Sequence, residues 1–341
     1  MLRFDRWVDE ALYGPDGFYS TTGRAGTADG DFVTSVESGT LFAEALAVQI
    51  DAWWHELGRP DPFVIVEGGS GVGTLCRNLW AAVDDCREAL RYVMVERSVR
   101  QRTFAFDRVV SEAFIDIAEV PLAAVADLPT GPLTGVVIAN ELLDNVSSRV
   151  VERTADGWSE LFVDDGEPVL VPADEAASRM ASSLMSGAAV GTRIPLQVGG
   201  AVWITKAQRL LERGKIAVFD YGAPTAELAE RGWPEWVRTY RNHRHGAGLF
   251  EAVGQQDITF DVATDQLPGA PIITTQADWL RLVGIDDLTA TSREAWETGR
   301  AKPDRATLAA RVRLDEAAAL LDPAALGGFF VATWDLVAPR P

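Results

Sequence analysis

Along the chain, continuous apolar runs alternate with stretches in which apolar residues recur every three or four positions. Residues 1–33, rich in Gly, Tyr and Asp, read as a short helix followed by loop. Thr34-Ser35-Val36-Glu37 then has the form of a capping box, with a hydroxyl at the N-cap and a carboxylate three positions on. Phe42, Leu46, Ile50, Trp53 and Leu57 follow at helical spacing, and Gly58 closes the predicted helix. Phe63-Val64-Ile65-Val66, Tyr92-Val93-Met94-Val95 and Gly135-Val136-Val137-Ile138-Ala139 lack polar alternation, as strands buried on both faces do. A helix is expected from about Thr74, between the first two. Strands separated by helical stretches predict an α/β fold with a mostly parallel, doubly wound, Rossmann-like sheet.

After Val150 the pattern changes. Asp156-Gly157 between two short strand-like segments signals a hairpin. Helices are predicted over 173–186 and 200–213, the second stopped by Gly214. Ile216-Ala217-Val218-Phe219 reads as a return to the sheet and ends in Asp220-Tyr221-Gly222, and Phe329 to Trp334 reads as a last, antiparallel strand. The expected organisation is an N-terminal helical and loop region over 1–60 packing on the core, a Rossmann-like core over 61–149 and 214–341, and an α+β insertion over 150–213 forming a substrate-side subdomain.

Composition narrows the class. The 341 residues are 47% hydrophobic and 24% charged, the profile of a globular protein. No apolar run approaches the roughly 20 residues of a membrane helix, so no membrane partner is expected. The N-terminus lacks the apolar run of a signal peptide. Cys76 and Cys86 read as buried thiols in a reducing compartment, which suggests a cytoplasmic protein. His55, His243 and His245 form no metal-binding spacing, so no metal site is expected. The formal net charge of -19 opposes nucleic-acid binding. Nothing in the pattern fixes the oligomeric state, and a dimer is compatible with it.

The chemistry concentrates at strand ends. The first buried strand runs into Glu67-Gly68-Gly69-Ser70-Gly71-Val72-Gly73. Side chains at Gly69, Gly71 and Gly73 would keep a ligand away from the backbone. A dinucleotide fingerprint counted from Gly69 needs glycine at position 74, where the chain has Thr74. S-adenosylmethionine fits better, because it has no pyrophosphate but carries an ammonium, a carboxylate and a sulfonium, and Glu67 can favour that positive charge. Glu96, at the end of the second strand, can accept both ribose hydroxyls. Asn140-Glu141-Leu142-Leu143-Asp144 follows the third strand, which puts Asn140, Glu141 and Asp144 at the mouth of the same crevice. Glu141 and Asp144, three apart, can clamp a guanidinium, or else serve as a solvated acid and a turn cap. Arg238-Thr239-Tyr240-Arg241-Asn242-His243-Arg244-His245 is a basic stretch that is either a solvated loop or a means of positioning a substrate carboxylate or acidic partner. Asp257 begins a predicted strand within reach of the same mouth.

In this order these pieces resemble the MidA-like family of class I S-adenosylmethionine-dependent methyltransferases. The likeness covers Gly14 to Tyr19, Gly30 to Glu37, the turn from Glu67 to Leu75, Glu96-Arg97-Ser98, Asn140 to Asp144, Asp220-Tyr221-Gly222, Tyr240 to His243, Asp257-Ile258-Thr259 and Thr275-Gln276. Val36, Ser70, Val72, Ser147 and Ser148 depart from the family's usual residues. The resemblance implies S-adenosylmethionine as cofactor and a protein arginine as acceptor. It makes Asp144, Glu141 and Asn140 the catalytic candidates, with Asp144 the base. Glu67, Gly69, Gly71, Gly73, Glu96 and Asn140 become cofactor-binding candidates, and Thr34, Glu37, Tyr240, Arg241, His243 and Asp257 substrate-side candidates. A small-molecule acceptor, a non-catalytic assembly protein on the same fold, and an NAD oxidoreductase are the other readings.

Overall fold

The computed structural model describes residues 1–21, 35–112, 122–241 and 244–336. Among them the central sheet has seven strands: β1 (Phe63–Gly68), β2 (Leu90–Val95), β3 (Leu122–Val125), β4 (Leu133–Asn140), β5 (Leu211–Asp220), β6 (Ile272–Thr275) and β7 (Phe330–Leu336), ordered β6-β7-β5-β4-β1-β2-β3. The first five are parallel, and the β7 pairings on both sides are antiparallel. Every residue of β1 is buried, as its unbroken apolar run requires. The reversal of strand order at β1 opens a crevice at the carboxyl ends of β1 and β4.

Helices cover both faces. On one lie α2 (Leu41–Glu56), α3 (Thr74–Ala82), α4 (Val99–Glu112), α6 (Gln276–Val283), α7 (Ile285–Gly299) and α8 (Arg305–Leu321); on the other lies α5 (Val198–Leu210). Phe219 of β5 is the hub of the first face, edge-on to Phe42 of α2 at 5.1 Å and to Trp279 of α6 at 4.9 Å. The first helix, α1 (Phe4–Tyr13), packs elsewhere. Its Phe4, Val8 and Leu12 share a core with Val150, Leu161, Trp236 and Phe260. Leu2–Arg3 adds an edge strand to Gly157–Asp164, which also pairs with Arg149–Thr154 and Glu167–Pro172.

Two expectations change at the level of elements, and one strand was not foreseen. The capping box does not start α2. Ser35–Glu37 form a 3-10 turn, Thr40 precedes the helix, and its hydroxyl bonds Glu44 at 2.6 Å; Thr34 lies outside the described residues. Gly214 does not stop α5, which ends at Leu210; the glycine sits inside β5, where a Cβ would stand 2.0 Å from the Gly135 carbonyl oxygen. Glycine is therefore needed for close strand pairing there. Finally, β3 (Leu-Ala-Ala-Val) was too short and too weakly apolar to stand out in the sequence.

Candidate active site

The carboxyl ends of β1, β2, β4 and β5 place Glu67, Glu96, Asn140 and Asp220 around the crevice. Between β1 and α3 the turn holds Gly69, Gly71 and Gly73 at φ of 69°, 52° and 77°. Those angles suit glycine, though the surroundings differ. A Cβ on Gly73 would meet Val109 of α4 at 2.9 Å, and one on Gly69 would meet Leu142 at 3.0 Å. Around Gly71 only Gln101 Oε1 comes near, at 3.7 Å. Its N–H instead donates to Glu96 Oε2 at 3.0 Å, and the Ser98 N–H donates to Glu96 Oε1 at 2.7 Å. The Glu96 carboxyl is thus fixed through both oxygens, although burial raises its pKa. Glu67 is buried and accepts the Tyr92 hydroxyl at 2.7 Å. Burial pushes it up to about 8, against the pull of that bond.

Glu67, Gly69, Gly71, Glu96, Asn140 and Glu141 line one narrow cavity of about 90 Å³, with Tyr13, Tyr19, Glu37, Gln101 and Asn145. Four buried polar atoms of its lining make no hydrogen bond: Glu37 Oε1, Ser70 Oγ, Gln101 Nε2 and Asn140 Oδ1. Burial pushes Glu37 up to about 7, with Arg108 opposing.

A second cavity, about 470 Å³, adjoins the first and shares Glu141 and Asn145 with it. Glu141 adopts φ 49°, a left-handed conformation that costs a non-glycine residue on the order of 1–2 kcal/mol. Its Oε1 accepts the Ser35 N–H at 2.8 Å and Asn140 Nδ2 at 3.2 Å. Burial pushes it up to about 8, with the Asp144 charge adding. Asp144 sits in the 3-10 turn Leu143–Asn145, whose N–H groups at 143 and 144 donate to Asp220 Oδ2 at 2.8 and 3.3 Å. Asp144 Oδ2 accepts the Tyr221 hydroxyl at 2.5 Å, and its Oδ1 is buried without a partner. Burial pushes its pKa up to about 6, while the Tyr221 bond and the Arg238 charge hold it down. Asp257 opens the strand Asp257–Phe260 on the same cavity. Its Oδ1 accepts Asn145 Nδ2 at 3.3 Å, its Oδ2 makes no hydrogen bond, and burial, then the Asp144 charge, pushes it up to about 7.

The remaining substrate-side candidates divide. Tyr240 lines the second cavity; Arg241 is exposed at the end of the strand Val237–Arg241, away from it. Glu37 belongs to the first cavity, and His243 and Thr34 lie outside the described residues. Sequence reasoning missed Tyr19, Asn145, Tyr221, Arg231 and Asp261. Tyr221 had a readable signal, since it follows the end of β5 just as Glu141 follows the end of β4. Tyr19 stood in the Gly14 to Tyr19 stretch of the resemblance but was given no role, and Asn145 had no signal: they meet across 126 positions, Tyr19 Oη donating to Asn145 Oδ1 at 3.1 Å. Among the described residues no three His, Cys, Asp or Glu side chains cluster as metal ligands. Cys76 and Cys86 are free and buried, and no described helix is long and apolar enough to cross a membrane.

Known proteins resemble this chain. Residues 45–283 match the model of a family described as "Putative S-adenosyl-L-methionine-dependent methyltransferase". The chain is 26% identical over 326 residues to the mitochondrial protein arginine methyltransferase NDUFAF7 of Xenopus tropicalis, covering 84% of this chain and 72% of that one. It is 25% identical over 296 residues to the mitochondrial NDUFAF7 homolog of Drosophila melanogaster, covering 75% of this chain and 63% of that one. A COG1565 superfamily member from Burkholderia thailandensis, solved with S-adenosyl-homocysteine, superposes with a TM-score of 0.79 at 24% identity over 98% of this chain and 87% of that one, which establishes the shared fold. These curated relatives overturn the cytoplasmic expectation, because their names place them in mitochondria. Reduced cysteines and an N-terminus without an apolar signal run do not distinguish one reducing compartment from another. With its family model spanning most of the chain and its fold shared with the COG1565 structure, the chain belongs to this family of S-adenosyl-L-methionine-dependent methyltransferases.

Proposed function

We propose that this methyltransferase transfers a methyl group to a guanidinium nitrogen of an arginine in a protein, held in the larger cavity. The observation that carries the reading is the convergence of Glu141, Asp144 and Asp257 on that cavity, with Asp144 Oδ1 and Asp257 Oδ2 lacking partners. A bare buried acceptor costs about 1–3 kcal/mol. A guanidinium offers five N–H donors in a planar fork, so it satisfies several such oxygens at once. The NDUFAF7 relatives, named as protein arginine methyltransferases, support the same acceptor.

The smaller cavity suits the cofactor. Its unpartnered Glu37 and Asn140 oxygens suit an ammonium, and Ser70 Oγ and Gln101 Nε2 suit a carboxylate or a hydroxyl. Glu96, oriented by Gly71 and Ser98, keeps lone pairs for two ribose hydroxyls. When bound, S-adenosyl-L-methionine supplies a methyl carbon on positively charged sulfur, open to displacement by a nitrogen in line with it.

The protein's own work is placement and proton removal. Glu141 and Asn145, on both cavities, mark where cofactor and acceptor meet. A guanidinium has a pKa above about 12 and no free lone pair, so a proton must leave as the N–C bond forms and the C–S bond breaks. Asp144 takes that proton. Its pKa of about 6 leaves it ionised at neutral pH, and Tyr221 and Arg238 steady the charge.

Asp144→Asn is expected to abolish transfer while S-adenosyl-L-methionine still binds; retained turnover rejects the role. A lysate incubated with methyl-labelled cofactor is expected to show label in a protein band. Label confined to small metabolites moves the acceptor to a small molecule.

A further inference from the structure

The 470 Å³ cavity that holds Asp144 and Asp257 carries cations as well as acids. Its wall also carries Arg231 and Arg238, and both reach Asp261. Arg238 Nη2 donates to Asp261 Oδ1 at 2.6 Å and Nη1 to the Glu235 carbonyl at 2.8 Å, with the guanidinium 5.1 Å over the Tyr221 ring. Arg231 Nη1 reaches the other oxygen, Asp261 Oδ2, at 2.9 Å. One buried carboxylate therefore faces two guanidinium groups. Glu227, 3.9 Å from Arg231 Nε, is exposed and screened, and such pairs contribute little. Arg231 Nε is buried without a hydrogen bond, and so is Thr259 Oγ on the same cavity. Both arginines also line an adjoining cavity of about 690 Å³, so they stand where the two spaces meet.

A cationic acceptor entering here meets like charge on one wall, a repulsion that disappears if the acceptor brings its own anion. We propose that the substrate presents a carboxylate next to its methyl-accepting cation, and that Arg231, backed by Arg238, receives that carboxylate. The proposal rests on the guanidinium-methylation reading above and adds a carboxylate beside the acceptor. Arg238 Nε is likewise buried without a hydrogen bond, but its other nitrogens and its planar face are held by Asp261, Glu235 and Tyr221, which leaves Arg231 as the anchor. Its fork geometry suits bidentate carboxylate binding. The carboxylate comes either from an acidic residue flanking the arginine in a protein or from the α-carboxylate of an arginine-like amino acid.

Calorimetry in the presence of S-adenosyl-homocysteine tests this with two pairs of probes: capped Arg-Glu and Arg-Gln peptides, and free arginine and argininamide. The carboxylate-bearing member of one pair is expected to bind about 5- to 10-fold more tightly, the size of one net hydrogen bond. The pair showing the preference identifies the carboxylate's source. Arg231→Gln is expected to bring that ratio close to one, and Arg231→Lys to keep part of it, which a merely structural role would not do. No binding, no preference in either pair, or a full preference surviving in Arg231→Gln overturns the proposal. Methyl transfer to the same probes separates the two conclusions. Carboxylate-dependent binding without transfer defeats the arginine methylation reading alone, and transfer without preference defeats this proposal alone.

Discussion

Asp144 and Gly71 show how single residues set the chemistry. Asp144 has to be ionised to accept a proton, and burial raises its pKa to about 6. The rate at low acceptor concentration is therefore expected to fall about tenfold per pH unit below 6, and above it to go on rising more gently to about pH 8 as Asp257 and Glu141 ionise. Tyr221→Phe removes the hydroxyl that bonds Asp144 at 2.5 Å, so the inflection of that profile is expected to move to higher pH; an unmoved profile would argue that Asp144 is not the titrating base. Gly71 sits at φ 52° with only Gln101 Oε1, at an unstrained 3.7 Å, near its Cβ position. Gly71→Ala should therefore cost only about 1 kcal/mol of stability from backbone strain, while cofactor affinity drops because the N–H aligning Glu96 shifts. Thermal melts and cofactor titrations measure the two effects separately. Glu67, Glu96, Asn140, Glu141 and Asp144 were legible because strand ends in a parallel sheet are where ligands bind. The contact between Asn145 and Tyr19 was illegible because only folding brings residues 126 apart together.

Strands were legible to the extent that they were buried on both faces. Phe63 to Val66 and Val136 to Ala139 announced strands by their unbroken apolar runs, and the structure extends each by a few residues. Gly214 was misread because glycine has two uses, ending a helix and admitting a close neighbour, and only the β4–β5 pairing shows that the second applies. Gly214→Ala would force a methyl to within 2.0 Å of the Gly135 carbonyl, so it is expected to destabilise the sheet by several times the cost of the Gly71→Ala change. Phe219→Ala would empty the space between Phe42 and Trp279 and should cost about 3–5 kcal/mol by denaturant unfolding. A value below 1 kcal/mol would mean the core collapses around the gap.

Across the whole molecule, several buried acids hold protons that an unfolded chain would release at neutral pH. Glu67 and Glu141 are both raised from 4.5 to about 8 by burial. A carboxyl raised on folding binds a proton in the native state that the unfolded state lacks, so its contribution is greatest below about pH 4.5 and disappears as pH rises through 8. The protein without ligands is thus expected to melt at a lower temperature at pH 8.5 than at pH 6. A cationic acceptor, bound together with cofactor product, should narrow that gap by favouring the ionised forms, and differential scanning calorimetry reads both. A melting temperature rising with pH over this range would contradict the burial of these acids.

Tyr19 has a backbone carbonyl that accepts the Ser98 hydroxyl at 2.9 Å, beside Glu96, and a ring hydroxyl that reaches Asn145, the partner of Asp257. One tyrosine thus leans on both ligand compartments. Whatever ordering the cofactor imposes on it is already in place when the acceptor arrives, and the converse holds to the same degree, since linkage between two sites is symmetrical. The two ligands should each tighten the other's grip by an equal factor, and Tyr19→Phe should shrink both factors together.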